Sequence, residues 1–207
     1  MEKIITFTAV AAPILRANID TDAIIPSREM KSVSKTGLAS GLFAGWRYKV
    51  IGGRELNPDF ILNKAEYKNT RILIGGDNFG CGSSREHAVW ALHEYGIRAI
   101  IAPSFSTIFY GNCIRNGIVP VRISNENILE LVNFLGSEPA KNLVTVDLRY
   151  KFIISGDFRY TFEIESEARD MLLEGLNSID LTLKNSKEIT EFRAKDSLER
   201  PWVYLDH

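Results

Sequence analysis

The sequence contains few residues that form disulfides or bind metals. Only two cysteines, Cys81 and Cys113, occur among 207 residues. Two are too few for the disulfide framework of a small secreted protein, and they suit a reducing compartment. Neither has a metal-ligand neighbour at the C-x-x-C spacing of a zinc site. The sequence therefore predicts neither a disulfide scaffold nor a metal site in this chain.

The chain also has nearly equal numbers of basic and acidic residues, and it has no apolar segment long enough to span a membrane. Its formal net charge is −1, and its basic and acidic residues are mixed, so no basic face predicts nucleic-acid binding. No apolar segment reaches the roughly 18 residues of a membrane span. Residues 4–15 superficially resemble a signal peptide, but polar residues and Pro13 interrupt them, and Arg16 follows without a cleavage pattern. We therefore expect a cytoplasmic protein that binds neither nucleic acid nor membrane.

Length and composition predict a single globular unit. A chain of 207 residues, 45% hydrophobic and 25% charged, is long enough for one core of ordinary size. We predict one domain over residues 1–207, with a loop-rich insertion at about 26–69 and a helical C-terminal region at about 166–200. Aromatic residues such as Phe43 and Trp46 argue against disorder in the insertion. It either covers the functional site or meets a partner, or it is a surface loop with a small core of its own.

The most informative feature is a glycine-rich turn, Gly-Cys-Gly-Ser-Ser-Arg-Glu, at residues 80–86. Residues 71–74 before the turn are typical of a strand, and the apolar residues after it have helical spacing. Ser83 and Glu86 have the S-x-x-E spacing of a capping box, and Gly96 is the expected end of the helix. The turn is therefore predicted to join a strand to the start of a helix.

The residues of the turn indicate the ligand class. The start of a helix presents unpaired N–H groups that favour a carboxylate or phosphate, and Arg85 adds a two-pronged donor. Gly82 precedes Ser83 where a Walker A loop has Lys, and Arg85 stands where a dinucleotide fingerprint has its third glycine. The turn does not complete the G-x-S-x-G of a nucleophile elbow either. We predict a small anionic substrate; the alternative is that Ser83 only caps the helix.

A second interpretation of the turn involves a cysteine nucleophile. Cys81 is a candidate thiolate near the helix start, and His87 is the nearby histidine that would serve as its base. His87 lies on the same helix face as the turn, where a side chain can equally cap or pack. His93 and His207 are interpreted as surface or structural positions.

Strand and helix patterns alternate after the turn. Residues 98–102 are typical of a buried strand, a helix follows, and residues 118–123 predict a strand that Pro120 places at an edge or a bulge. This order predicts parallel pairing with right-handed crossovers, so the turn falls at the carboxyl end of a strand, where open α/β sheets bind ligands.

The C-terminal third has weaker patterns. Residues 160–164 predict a strand and residues 166–174 a helix that Gly175 ends. The sequence from 186 to 195 predicts a last amphipathic helix, with Ile189 and Phe192 facing inward.

Three separated motifs resemble one known family. They are NIDTDAIIP at residues 18–26, NFGCGSSREHA at residues 78–88, and APSF with IFYGN at residues 102–112. In this order they resemble the small subunit of bacterial 3-isopropylmalate dehydratase, and the similarity runs from about residue 4 to Trp202. The resemblance implies an α/β fold, the swivelling domain of the aconitase superfamily. It has a central, mostly parallel sheet flanked by helices, with a loop-rich insertion.

The resemblance also implies an activity and a partner. The family is a heteromeric hydro-lyase that interconverts 2-isopropylmalate and 3-isopropylmalate, both small dicarboxylates, by dehydration and rehydration in leucine biosynthesis. The large subunit carries a [4Fe-4S] cluster, whose ligation takes three or four cysteine thiolates that this chain does not have. Related hydratases acting on citraconate or homoaconitate share the turn, so the substrate stays open. A stand-alone anion-binding module is the alternative from another functional class.

Site residues follow from the same resemblance. Ser83 is implied to be the general base that removes the proton next to a carboxylate. The implied substrate-binding residues are Gly82, Ser84, Arg85, Asp20 and Arg16. Because a neutral hydroxyl is a weak base, the Ser83 alkoxide must be stabilised by the helix start, backbone N–H groups and Arg85.

Two expectations remain open alongside these roles. Ser83 cannot both cap the helix and act as the base, so Ser84 or the backbone turn is expected to take over part of the capping. Asp20 and Asp22, both in the first motif, have a turn-making role as their alternative. In the insertion, Leu38, Leu42 and Phe43 are expected to meet the isopropyl group.

Overall fold

A computed structural model describes residues 1–30, 34–83, 85–136 and 138–204. Its strands are β1 (Thr6–Ile14), β2 (Thr70–Gly75), β3 (Ala99–Ala102), β4 (Val119–Arg122), β5 (Val144–Asp147), β6 (Phe152–Ser155) and β7 (Phe158–Thr161). Its helices are α1 (Thr21–Ile24), α2 (Ala44–Arg47), α3 (Glu86–Tyr95), α4 (Thr107–Arg115), α5 (Asn125–Leu135), α6 (Ser166–Glu174), α7 (Ser178–Leu183) and α8 (Ser186–Glu199). Within the described ranges, no helix is long and apolar enough to cross a membrane.

The strands form one mixed sheet in the order β4-β3-β2-β1-β5-β6-β7. Parallel pairing joins β1 to β2, β2 to β3 and β3 to β4, with α3 and α4 as the crossovers. The predicted α/β fold is confirmed, and Pro120 lies in β4 at the edge of the sheet. Antiparallel pairing adds β5, β6 and β7 on the other side of β1. The site turn therefore lies at the carboxyl end of β2, as the sequence predicts.

Both faces of the sheet are covered. Alternate residues of β1 and β2 enter two separate hydrophobic clusters, with Ile72 and Ile74 in one and Leu73 in the other. Helices α5 and α6 contribute to the first cluster, and α3 with the insertion contributes to the second. Burial on both faces explains why β2 and β3 are continuous apolar segments rather than alternating ones.

The insertion packs onto α3. The Glu94 carboxylate accepts three hydrogen bonds from the N–H groups of Gly37, Leu38 and Ala39, at 2.6, 2.5 and 2.8 Å. Phe43 is fully buried and stacks on Trp46, with ring centroids 5.5 Å apart. Short helical turns at Ser27–Glu29, Ala39–Gly41, Ile61–Asn63 and Ala65–Tyr67 connect the rest of this segment.

The C-terminal helices match the prediction only in part. Helix α6 spans Ser166–Glu174, and Gly175 ends it in the left-handed conformation. The inward orientation of Ile189 and Phe192 is wrong, because their exposed fractions are 36% and 61%. Charged residues lie all around α8, so it has no apolar stripe, and Asp196 is its buried residue among those described. His207 lies outside the described residues.

Candidate functional site

The site forms where two motifs run side by side beyond the ends of β1 and β2. Successive backbone hydrogen bonds continue the pairing: Gly76 N–H to Arg16 O, Asn18 N–H to Asp77 O, Gly80 N–H to Ile19 O and Thr21 N–H to Cys81 O, at 3.2, 2.8, 2.7 and 3.0 Å. The glycine-rich turn is therefore held against the start of α1. This contact joins residues about sixty positions apart in the sequence into one surface.

Two glycines of the turn have backbone conformations that other residues rarely adopt. Gly80 has φ +75°, and a Cβ atom there would lie 2.0 Å from Cγ of Phe109. Gly82 has φ +85°, and a Cβ atom would lie 3.3 Å from Cβ of Asp20. Gly80 is thus required for packing on α4, while Gly82 is exposed and lets the chain turn beside α1.

The predicted capping box is wrong. Helix α3 begins at Glu86, its N-cap is Arg85, and the Arg85 side chain makes no capping hydrogen bond. The Ser83 carbonyl accepts from the Arg85 N–H at 2.6 Å and from the Thr21 hydroxyl at 2.7 Å, so a tight turn precedes the helix. The Glu86 carboxylate instead accepts from Nδ2 of Asn116 at 2.8 Å. Ser84, the other capping and substrate-binding candidate, lies outside the described residues.

The Ser83 hydroxyl is consequently not used by the helix. Ser83 is exposed, and Oγ of Thr21 lies 3.4 Å from its Oγ atom. Thr21 is buried and contacts Ser83 through both the carbonyl and the hydroxyl of that serine. A ligand or a partner subunit can therefore reach the Ser83 hydroxyl, while the buried Thr21 side chain holds the Ser83 backbone in place.

Arg85 lies across the gap between the turn and α1. Its Nη1 atom forms an ion pair with Oδ1 of Asp22 and donates to Oγ of Ser27 at 3.1 Å. The exposed fraction of the Arg85 side chain is 28%. The candidate carboxylate-binding group is thus partly covered and already carries an acidic neighbour.

The backbone of Asp20 contacts the glycine-rich turn, but its carboxylate caps α1. Oδ1 of Asp20 accepts from the Ala23 N–H at 2.6 Å and so caps this short helix. Its backbone pairs with Cys81 as a parallel bridge. The geometry fits the turn-making alternative, with Asp20 bringing Asp22 beside Arg85.

Arg16 points toward the insertion. Its guanidinium lies 4.6 Å from the ring centroid of Trp46. The two side chains line an open cleft of about 500 Å³ together with Gly45, Tyr48, Lys49, Asn57, Asp59 and Phe60. The backbone of Arg16 belongs to the site, whereas its side chain packs on the aromatic residues of the insertion.

The cysteine nucleophile is not supported by the contacts of its expected base. The His87 ring packs on Trp90, with centroids 4.7 Å apart. Cys81 is half-buried in the turn, and Cys113 is fully buried on α4, where burial raises the pKa of its thiol well above the usual value. Within the described ranges, no group of three or more His, Cys, Asp or Glu side chains could hold a metal ion.

Known proteins are similar to this chain. The family model for the aconitase C-terminal domain matches residues 1–126. The 3-isopropylmalate dehydratase small subunit of Cupriavidus necator is 55% identical over 207 residues, covering 100% of both chains. The protein of the same name from Brucella canis is 47% identical over 204 residues, covering 98% of this chain and 100% of its own.

The chain belongs to the family of 3-isopropylmalate dehydratase small subunits. A crystal structure of 3-isopropylmalate dehydratase from Methanocaldococcus jannaschii agrees with this assignment. Its TM-score to this chain is 0.65 at 28% identity, and the match covers 91% of this chain and 99% of that one. The family resemblance inferred from the three motifs is thereby confirmed.

The residues that were expected to meet the isopropyl group lie in the core of the chain. Leu38, Leu42 and Phe43 are fully buried in the hydrophobic cluster that includes α3, so they do not face the site surface. Next to them, the Glu94 carboxylate holds the Gly37–Ala39 segment against α3. Sequence reasoning identified them as apolar and near the site, but apolarity alone does not distinguish core from substrate pocket.

Sequence reasoning also missed the contacts that Thr21, Asp22 and Ser27 make with the turn. Thr21 and Asp22 belong to the first motif, and Ser27 follows it directly. Their contacts with Ser83 and Arg85 cross 58 to 63 sequence positions. The available signal was the pairing of two polar motifs at the ends of neighbouring parallel strands.

Proposed function

We propose that this chain is the small subunit of a cytoplasmic hydro-lyase that interconverts 2-isopropylmalate and 3-isopropylmalate in leucine biosynthesis. The enzyme is active only with a large subunit that carries a [4Fe-4S] cluster, and it binds neither nucleic acid nor membrane. One observation carries the proposal: an exposed Ser83 beside Arg85, in a chain that matches a named small subunit over its full length.

Ser83 is the catalytic residue in this proposal. Its Oγ takes the proton from the carbon next to a substrate carboxylate, and the hydroxyl leaves the adjacent carbon as the alkene forms. Rehydration returns the proton and the hydroxyl with their positions exchanged. The first N–H groups of α3 and the Arg85 guanidinium stabilise the negative charge that the Ser83 oxygen must carry.

The substrate carboxylates account for the other polar groups of the turn. Arg85 and Ser84 bind a substrate carboxylate, and Gly82, which has no side chain, lets the backbone approach that carboxylate. Asp20 shapes this surface by capping α1, and Arg16 borders it from the cleft beside Trp46.

The cluster belongs to the large subunit. The two cysteines of this chain do not fit a cluster, because Cys113 is enclosed in the core and a cluster needs three or four thiolates. When bound in the partner, the cluster supplies a Lewis acid for the departing hydroxyl. This chain supplies the base and the carboxylate contacts.

Anaerobic reconstitution tests the proposal. The chain is combined with a cluster-loaded 3-isopropylmalate dehydratase large subunit, and turnover is measured with isopropylmalate, 2-methylmalate and homocitrate in competition. Preferred turnover of isopropylmalate, with no turnover by either chain alone, is expected. Preferred turnover of 2-methylmalate or homocitrate would assign the chain to a related hydratase. Tight binding of these acids by the isolated chain, without turnover in the complex, would favour an anion-binding module.

A further inference from the structure

In the part of the chain that the structure describes, the Arg85 guanidinium is held at its Nη1 atom. Asp22 Oδ1 and Ser27 Oγ both contact Nη1, and the Ser27 hydroxyl also donates to Asp22 Oδ1 at 3.3 Å. Among the described residues, none accepts a hydrogen bond from Nε or Nη2 of Arg85. Arg85, Asp22 and Ser27 thus form a triangle of hydrogen bonds at Nη1. The N–H groups of Nε and Nη2, on the opposite edge of the guanidinium, remain as two parallel donors.

The two residues that hold Nη1 are themselves anchored. Asp22 lies in the first turn of α1, which Asp20 caps and which Thr21 ties to the turn through Ser83. Ser27 begins the short helical turn Ser27–Glu29 at the start of the insertion. Glu29 is buried there and accepts from Nη2 of Arg54 at 2.6 Å. Arg85 therefore contacts two different segments that are themselves held by other hydrogen bonds.

We propose that Asp22 and Ser27 are positioning residues, which orient Arg85 so that its Nε–Nη2 edge meets a substrate carboxylate. This inference rests on the proposed function. An arginine binds a carboxylate best through two parallel N–H donors, and a fixed Nη1 removes the rotamer freedom that binding would otherwise cost. Because Ser27 belongs to the insertion and contacts Arg85, the insertion reaches the proposed carboxylate-binding group directly.

A competing role for Asp22 makes the opposite prediction. As an acid beside the anion site, Asp22 could occupy Arg85 and have to be displaced by substrate. Its removal would then strengthen substrate binding. The positioning role instead predicts weaker binding, because the guanidinium loses its orientation while its charge remains.

Steady-state kinetics of the reconstituted complex separates the two roles. Asp22→Asn is expected to raise KM for isopropylmalate about tenfold and to lower kcat by less than Ser83→Ala does, since Arg85 loses its orientation toward the carboxylate but keeps its charge beside Ser83. Ser27→Ala is expected to raise KM about threefold, and Asp22→Glu should restore part of the loss. Glu163→Gln, which breaks the exposed ion pair with Lys151, is the matched control and should leave KM unchanged. An unchanged or lowered KM in Asp22→Asn would overturn the inference.

The hold on Arg85 can also be measured without activity. In ¹⁵N NMR spectra of the isolated wild-type chain, the Arg85 side-chain resonances, assigned with Arg85→Lys, should show slowed rotation of the guanidinium. Asp22→Asn should restore fast rotation, and Glu163→Gln should not. Fast rotation in the wild type would refute the positioning role. If rotation is slow but the reconstituted complex is inactive, the hold of Asp22 and Ser27 on Arg85 is supported. That result would count against the proposed function alone.

Discussion

Gly80 and Ser83 are three positions apart and are constrained by different forces. Gly80 has no room for a side chain, because Phe109 lies directly against it. Ser83 is exposed, and the backbone around it is fixed by Thr21 and by the Arg85 N–H. Packing therefore sets the shape of the turn, while the Ser83 hydroxyl stays exposed beside Thr21.

Gly80→Ala is expected to destabilise the chain by about 2–4 kcal/mol, because the new Cβ overlaps Phe109 in addition to the strain of a positive φ. Gly52→Ala is the matched control: Gly52 has φ +77°, and a Cβ there would meet nothing within 4 Å. The control should lose only about 1–2 kcal/mol. Urea denaturation of both variants measures the difference, and equal losses would contradict the role of the Phe109 contact.

The residue types at the site could be predicted from sequence, but their partners could not. The glycines, Ser83 and Arg85 indicate an anion site through their spacing alone. The helix cap was predicted wrongly, because the S-x-x-E pattern cannot show that the Ser83 carbonyl is bonded to Thr21. The contacts of Arg85 with Asp22 and Ser27 depend on how β1 and β2 pair, which a local pattern does not contain.

One side chain of α3 binds three successive residues of the insertion. Glu94, on α3, binds three successive N–H groups at Gly37, Leu38 and Ala39. Burial acts to raise the pKa of Glu94, but these hydrogen bonds outweigh it and lower the pKa below its usual value. The charged form therefore favours the folded insertion.

Glu94→Gln is expected to cost about 1 kcal/mol at neutral pH, a value reduced for the exposure of this carboxylate. Because the folded-state pKa is lowered, the stabilisation is complete above the ordinary Glu pKa and is lost as the pH falls through the lowered value. The stability difference between wild type and variant should therefore shrink on acidification. Glu138→Gln, in an exposed pair with Lys141, is the control. A difference that stays constant from neutral to acidic pH would contradict the role of the charge.

The elements were predictable where the chain alternates strand and helix. The segment from β2 to β4 follows its pattern closely, since buried parallel strands are continuous apolar segments. The predicted strand 160–164 begins earlier, at Phe158, because β6 and β7 form a hairpin whose turn contains Gly156. Helix α8 was predicted as a helix but not as an exposed one, because Ile189 and Phe192 do not form an apolar stripe among the charged residues that lie all around it.

At the scale of the whole molecule, the fold gathers two motifs at one edge of a mixed sheet. The aconitase-type fold and the family followed from the three motifs taken together, because a full-length match is far more specific than any one turn. Packing distinguishes the core from the site, so the burial of Leu38, Leu42 and Phe43 could not be predicted from their apolar character.

The whole account depends on Ser83 acting as the base within a complex. The direct test is turnover of isopropylmalate by the reconstituted enzyme with wild-type chain, with Ser83→Ala and with the control Ser178→Ala at the exposed start of α7. Size-exclusion chromatography checks that all three assemble with the large subunit. Ser83→Ala should lower kcat by about 10²- to 10⁴-fold, as expected for loss of a general base, while Ser178→Ala keeps wild-type activity. Wild-type turnover by an assembled Ser83→Ala complex would contradict the account.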